Sequence, residues 1–149
     1  MDESVSRLTD ILGQERLENF ASPAPNLMNN NEIHCDCKTV ILKPHNAKLI
    51  VPTGPMLEIE NELRNYQKEG KIFNDIIRGC YWLVDDMYKF EHMAFTKEIN
   101  EQNLSQANNP SALKGLRYLA CAECNLCPLG WFDPSTKESY LHLWTDKKV

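Results

Sequence analysis

The chain has 149 residues, 42% of them hydrophobic and 25% charged, which fits one ordinary folded domain with an appendage and leaves little room for two. Its formal net charge is −5 and its lysines and arginines are scattered, so it lacks the basic stripe on which nucleic-acid binding depends. No apolar run approaches the about 18 residues that span a bilayer, and acidic residues stand at the N-terminus where a signal peptide carries lysines, so a cytoplasmic protein is expected.

Residues 1–32 read as a flexible N-terminal leader, dispensable for folding. Val5, Leu8, Ile11, Leu12 and Phe20 form only a loose helical stripe, broken at Gly13, and the stretches Ser22-Pro23-Ala24-Pro25 and Asn29-Asn30-Asn31 have linker composition. The domain proper is expected over 33–149. Thr39 to Leu42 and Lys48 to Val51 are short apolar runs either side of Pro44-His45-Asn46, the pattern of two strands and a turn. Ile59, Leu63 and Tyr66 recur at helical spacing, with Pro55 ahead, Gly70 behind, and Glu60 placed four residues before Arg64.

Ile72 to Ile77 fits a helical turn or a strand equally well. Trp82 to Val84, Tyr88 to Phe90 and Ala94 to Thr96 are aromatic-rich and read as strands around acidic turns. A polar stretch, 97–112, reads as a long loop. Arg117 to Ala120 and Tyr140 to Trp144 read as further strands, the latter with the period-2 alternation of a sheet, and Trp131 enters a strand after a Pro-Leu-Gly turn. The fold class is mainly β with one or two helices.

The six cysteines carry the chemistry. In a reducing compartment they point to metal or free thiols rather than disulfides. Cys121-Ala122-Glu123-Cys124 is a CxxC directly after an apolar strand, and two-residue spacing lets a knuckle-like turn aim both sulfurs at one tetrahedral zinc. A second cluster, His34-Cys35-Asp36-Cys37, also abuts a strand, and one zinc shared between the two would close a loop of about 80 residues. Cys37, Cys121 and Cys124 are three expected ligands. For the fourth, the chemistry of thiolate favours Cys35 and spacing favours His34. Cys127 is a spare thiol, and Cys80, beside Tyr81 and Trp82, reads as core. A redox CxxC would open a helix in a βαβ unit, and a catalytic zinc would keep an open position, so a closed structural zinc fits best.

Two stretches resemble the zinc-binding Rab-interacting factor family. They are Trp82-Leu83-Val84-Asp85-Asp86-Met87-Tyr88-Lys89-Phe90-Glu91 running on to Phe95-Thr96-Lys97, and Cys121-Ala122-Glu123-Cys124 followed by Pro128-Leu129-Gly130-Trp131. The resemblance covers about residues 33–144. It implies a compact β-sheet fold similar to that of translationally controlled tumour protein, with one structural zinc held by two cysteine pairs. Counting back from Pro44, the family's first zinc cysteine falls on His34 and its second on Cys37, and Glu123 stands where better-known members have aspartate.

By the same resemblance the chain is a monomeric guanine-nucleotide exchange factor or chaperone in secretory vesicle transport and exocytosis. It would bind a nucleotide-free Rab-type small GTPase without covalent chemistry, and reach membranes only through that partner. Expected contacts are Met87, Tyr88, Phe90 and Phe95, which would pry at the switch region, and Asp86, Glu91 and Glu123, whose carboxylates would compete with phosphate. The alternative is a zinc-ribbon module that binds protein or nucleic acid without exchange activity; it would need a basic, aromatic-bearing sheet face, which the acidic balance disfavours.

Overall fold

Alternation along the last strand sets the architecture. In Glu138–Trp144, Leu141 and Leu143 are buried on one face while Tyr140 and His142 stand half-buried on the other, so both faces of the sheet are occupied. The computed structural model describes residues 3–66, 76–96, 115–126 and 128–144. In chain order the described elements are α1 (Glu3–Leu12), α2 (Gln14–Phe20), β1 (Ile33–His34), β2 (Val40–Leu42), β3 (Lys48–Ile50), α3 (Pro55–Tyr66), β4 (Ile76–Val84), β5 (Met93–Phe95), β6 (Arg117–Cys121), β7 (Gly130–Asp133) and β8 (Glu138–Trp144). Six strands pair antiparallel in the order β3-β4-β8-β7-β6-β5, and β1-β2 is a separate hairpin. The fold is mainly β, as the sequence pattern implies.

One face of the large sheet is mostly aliphatic. Leu49, Trp82, Val84, Leu119, Leu141 and Leu143 pack there with Ile41 and Leu42 of β2. The other face is aromatic: Tyr81 and Trp131 are buried with Ile59 of α3 and Leu116, and Tyr118 and Tyr140 pack against them. Glu60 on α3 is buried and accepts a hydrogen bond from the Tyr81 hydroxyl, so the helix is tied to the sheet by a polar contact as well as an apolar one. Gly130 is required where β7 meets β8, because a Cβ there would lie 1.9 Å from the Tyr140 carbonyl oxygen.

The N-terminal segment differs from its expected form. Rather than a flexible leader ending at residue 32, it is two helices and a short extended stretch built into the main core. Leu8 is 0% exposed, and Leu12, Leu17, Ala21 and Leu27 are buried with it in the same cluster as the sheet leucines. Gly13, at φ 83, separates the helices without ending the segment's packing. Ile11 reaches β4 at Gly79, whose φ of 96 falls in the register shift of that strand and where a Cβ would stand 3.3 Å from the Ile11 Cδ1.

Asn29, read from sequence as linker, fastens the segment. Its Oδ1 accepts from the Asn46 and Ala47 amides at 2.9 Å, and its Nδ2 donates to the Asn31 and Lys43 carbonyls at 2.9 and 3.0 Å. The Leu49 amide donates to the Leu27 carbonyl at 2.8 Å, so this stretch lines the edge of β3. Apolar periodicity was too loose to reveal the packing because Gly13 resets the helical phase between Leu12 and Leu17.

A second difference lies at Tyr88 to Phe90, expected as strand. Met87–Lys89 is instead a single turn of 3₁₀ helix, N-capped by Asp86, whose carboxylate accepts from the Tyr88 amide at 2.9 Å. Asp-Asp ahead of a short run thus acts as a cap rather than a strand border. Most of the Ile72 to Ile77 stretch and the 97–112 loop fall outside the described residues; Ile76 and Ile77 belong to β4. Among the described residues no helix is long and apolar enough to cross a membrane.

Candidate metal centre

Two turns at hairpin tips bring the cysteines together. The first, between β1 and β2, is closed by the Lys38 amide donating to the Cys35 carbonyl at 2.8 Å and the Cys35 amide donating to the Thr39 carbonyl at 2.9 Å. The second, between β6 and β7, is closed by the Asn125 amide on the Cys121 carbonyl at 2.9 Å and the Cys121 amide on the Leu126 carbonyl at 3.1 Å. Lys38 at φ 72 and Asn125 at φ 63 take the left-handed conformation that turns each chain back sharply. That geometry lets Cys35 and Cys37 share one site although a single residue separates them.

The four sulfurs of Cys35, Cys37, Cys121 and Cys124 lie within 4.8 Å of one another. The Cys35 and Cys124 sulfurs are 3.5 Å apart, and those of Cys37 and Cys121 are 3.6 Å apart. Four thiolates at metal–sulfur distances of about 2.3 Å occupy a tetrahedron with edges of about 3.8 Å. Two separations lie near that figure and all are within 4.8 Å, so the set could hold a metal ion.

His34 does not belong to the group. Its Nε2 lies 3.3 Å from the Glu32 carboxylate, and its carbonyl accepts from the Trp144 Nε1 at 2.8 Å. Its backbone carbonyl ties β1 to β8. Cys80 is buried elsewhere in the core, and burial pushes its thiol up to about 12. Cys127 lies outside the described residues.

Each turn offers one buried and one exposed sulfur. Cys35 and Cys121 are buried, Cys37 and Cys124 exposed. The Thr39 hydroxyl, 3.0 Å from the Cys37 sulfur, lowers that thiol to about 6. Burial raises the Cys35 and Cys124 thiols, which a bound cation would offset. Thr39 was not anticipated from sequence; a hydroxyl two residues past a cysteine is not a distinctive pattern.

The expected partner-contact residues differ in accessibility, and the chain that follows most of them is tied to this centre. The Ala122 amide donates to the His92 carbonyl at 2.8 Å, which joins the Cys121–Cys124 turn to the segment leading from the 3₁₀ turn into β5. On that segment Tyr88 is 87% exposed and Met87 37%. Glu123 is exposed at the tip of the cysteine turn. Phe90 and Phe95 are half-buried, with ring centroids 6.1 Å apart, and Phe95 stacks edge-on against Phe132 at 5.5 Å. Asp86 is engaged as the cap, and Glu91 lies 3.4 Å from the Lys43 ammonium.

Comparison with known proteins agrees with the motifs. The model of the Mss4 protein family matches residues 28–148. A protein of Drosophila melanogaster named guanine nucleotide exchange factor MSS4 homolog is 33% identical over 63 residues, which cover 42% of this chain and 40% of that relative. The match therefore spans well under two thirds of the relative's length. Because the family match extends over most of its sequence, the chain belongs to the Mss4 family, the Rab-interacting factors that its motifs resemble.

Proposed function

We propose that the protein is a non-enzymatic guanine-nucleotide exchange factor, or chaperone, for a Rab-type small GTPase in secretory vesicle transport. It binds the nucleotide-free form and carries one structural zinc on Cys35, Cys37, Cys121 and Cys124. The observation that supports this reading is that, in an Mss4-family chain, the segment following the exposed Met87-Tyr88 turn is hydrogen-bonded, at His92, to the cysteine turn that bears Glu123. Four clustered cysteine sulfurs suit zinc, which has no need of an open coordination position in a structural role.

A GTPase grips its nucleotide through backbone amides of the phosphate loop, a lysine and magnesium. A factor that binds the empty GTPase more tightly than the loaded one must weaken nucleotide binding by the same ratio. Tyr88 and Met87 supply an apolar contact able to hold a switch segment displaced. Glu123 supplies a carboxylate where the phosphate's negative charge is lost, and Asp86 and Glu91 add negative potential around it. Phe90 and Phe95, packed edge-on, support the turn from below. A carboxylate fixed on a metal-braced turn loses little conformational entropy on binding.

The test is release of a fluorescent guanine nucleotide from a panel of Rab proteins. Release should accelerate in proportion to added protein for a subset of the panel, and Tyr88→Ala should slow it at least tenfold without changing the melting temperature. Unchanged release across the panel, with the protein folded and metal-loaded, would overturn the reading.

A further inference from the structure

The four cysteines are divided in a way that a purely structural metal site does not require. Each close sulfur pair joins one exposed to one buried residue across the two turns: exposed Cys124 with buried Cys35 at 3.5 Å, and exposed Cys37 with buried Cys121 at 3.6 Å. These pairs link positions 89 and 84 residues apart in sequence. A disulfide needs sulfurs at about 2.05 Å, so each pair lies about 1.5 Å from bonding distance. Bridges within a turn, Cys35 to Cys37 or Cys121 to Cys124, would instead close loops of a few residues and leave the hairpins unconnected.

We infer that this cluster is a reversible peroxide-responsive switch, in which oxidation forms the crossed disulfides Cys35–Cys124 and Cys37–Cys121 and expels the bound metal while the two hairpins stay joined. The metal part of this inference rests on the zinc reading above. The exposed thiolate of each pair attacks one oxygen of hydrogen peroxide; the O–O bond breaks, leaving a sulfenic acid and hydroxide. The buried thiolate of the same pair then attacks that sulfur, and the S–O bond breaks with loss of a second hydroxide. Two thiolates thus give two electrons to one peroxide, and the four cysteines reduce two. No thiolate charge remains to hold a divalent cation, which leaves. Glu123 sits inside one of the bridged turns, so its position changes between the two states.

The switch is tested on the full chain in two arms, one metal-loaded and one stripped with a chelator, each titrated with hydrogen peroxide. Metal release is followed with a chromogenic indicator, free thiols are counted, and bridges are mapped after cleavage before Asp36 and after Glu123, cuts that separate Cys35 from Cys37 and Cys121 from Cys124. A Cys127→Ser variant runs in parallel so that the spare thiol does not compete. The expected result is one metal released per two peroxides, the same crossed bridges in both arms, Cys80 still reduced, far-ultraviolet circular dichroism retained, and metal binding restored by a thiol reductant. Bridges within each turn, sulfinic acids as first product, or thiols and metal untouched by peroxide would each overturn the inference. Protein that never carries metal defeats the zinc reading alone, and the stripped arm then still decides the pairing.

Discussion

The N-terminal segment and the cysteine turns are attached to the same sheet by different means. Between Val5 and Asn30 the chain is held by buried leucines and by four hydrogen bonds to one asparagine side chain. The Cys35 and Cys121 turns are held by backbone hydrogen bonds at hairpin tips; their two buried cysteines join the same core cluster, and each has an exposed sulfur of the other turn within 3.6 Å. Apolar attachment is insensitive to metal and redox state, whereas a thiolate-bound metal responds to both.

Metal removal should separate the two regions most sharply. A structural site of this kind carries apparent binding energy on the order of 10 kcal/mol. Chelation should collapse hydrogen-exchange protection at Cys35–Thr39 and Cys121–Leu126 first and lower the melting temperature by tens of degrees. Equal loss of protection in α1 and the cysteine turns would erase the distinction.

Next in size, Leu8→Ala should destabilise the whole domain by about 3 kcal/mol, because a fully buried side chain leaves a cavity. Its metal stoichiometry should remain unchanged. Chemical denaturation of the variant measures this, and a truncation beginning at Asn31 should be worse still. Near-wild-type stability of that truncation would return the segment to the role of a dispensable leader.

Asn29→Ala should cost about 2 kcal/mol by the same measurement, since it leaves the Asn46 and Ala47 amides and the Lys43 carbonyl without their partner. An effect within about 0.5 kcal/mol, the range of ordinary surface changes, would show that water replaces the amide.

The smallest structural effect is expected at the tip of the cysteine turn. Glu123→Lys should leave metal content and melting temperature nearly unchanged and slow nucleotide release from the GTPase at least tenfold, about 1.4 kcal/mol in the barrier. Loss of metal in this variant would show that Glu123 serves the turn and not the partner.

Much of this was legible in sequence where a period or a spacing carries the signal. The alternation through Leu141 and Leu143, the helical spacing of Ile59 with Pro55 ahead, and the CxxC of Cys121 and Cys124 each survive into the structure. Cys35 with Cys37 was harder, because the left-handed Lys38 that makes the spacing workable has no sequence mark; glycine or asparagine would have announced it. The N-terminal packing was hidden for a related reason. Asn29 has the composition of a linker, and its role depends on residues 14 to 18 positions away. Tyr88 to Phe90 read as strand because aromatic content favours one, while the capping contact from Asp86 decides for a turn.

The proposed exchange activity requires preferential binding to an empty GTPase, and the most direct measurement is the dissociation constant of the metal-loaded protein for one Rab in three forms: GDP-loaded, GTP-loaded and stripped of nucleotide. The stripped form should bind at least a hundredfold more tightly than either loaded form, and added GDP should dissociate the complex. Equal affinity for all three would contradict the account, since a ligand without differential affinity shifts no equilibrium.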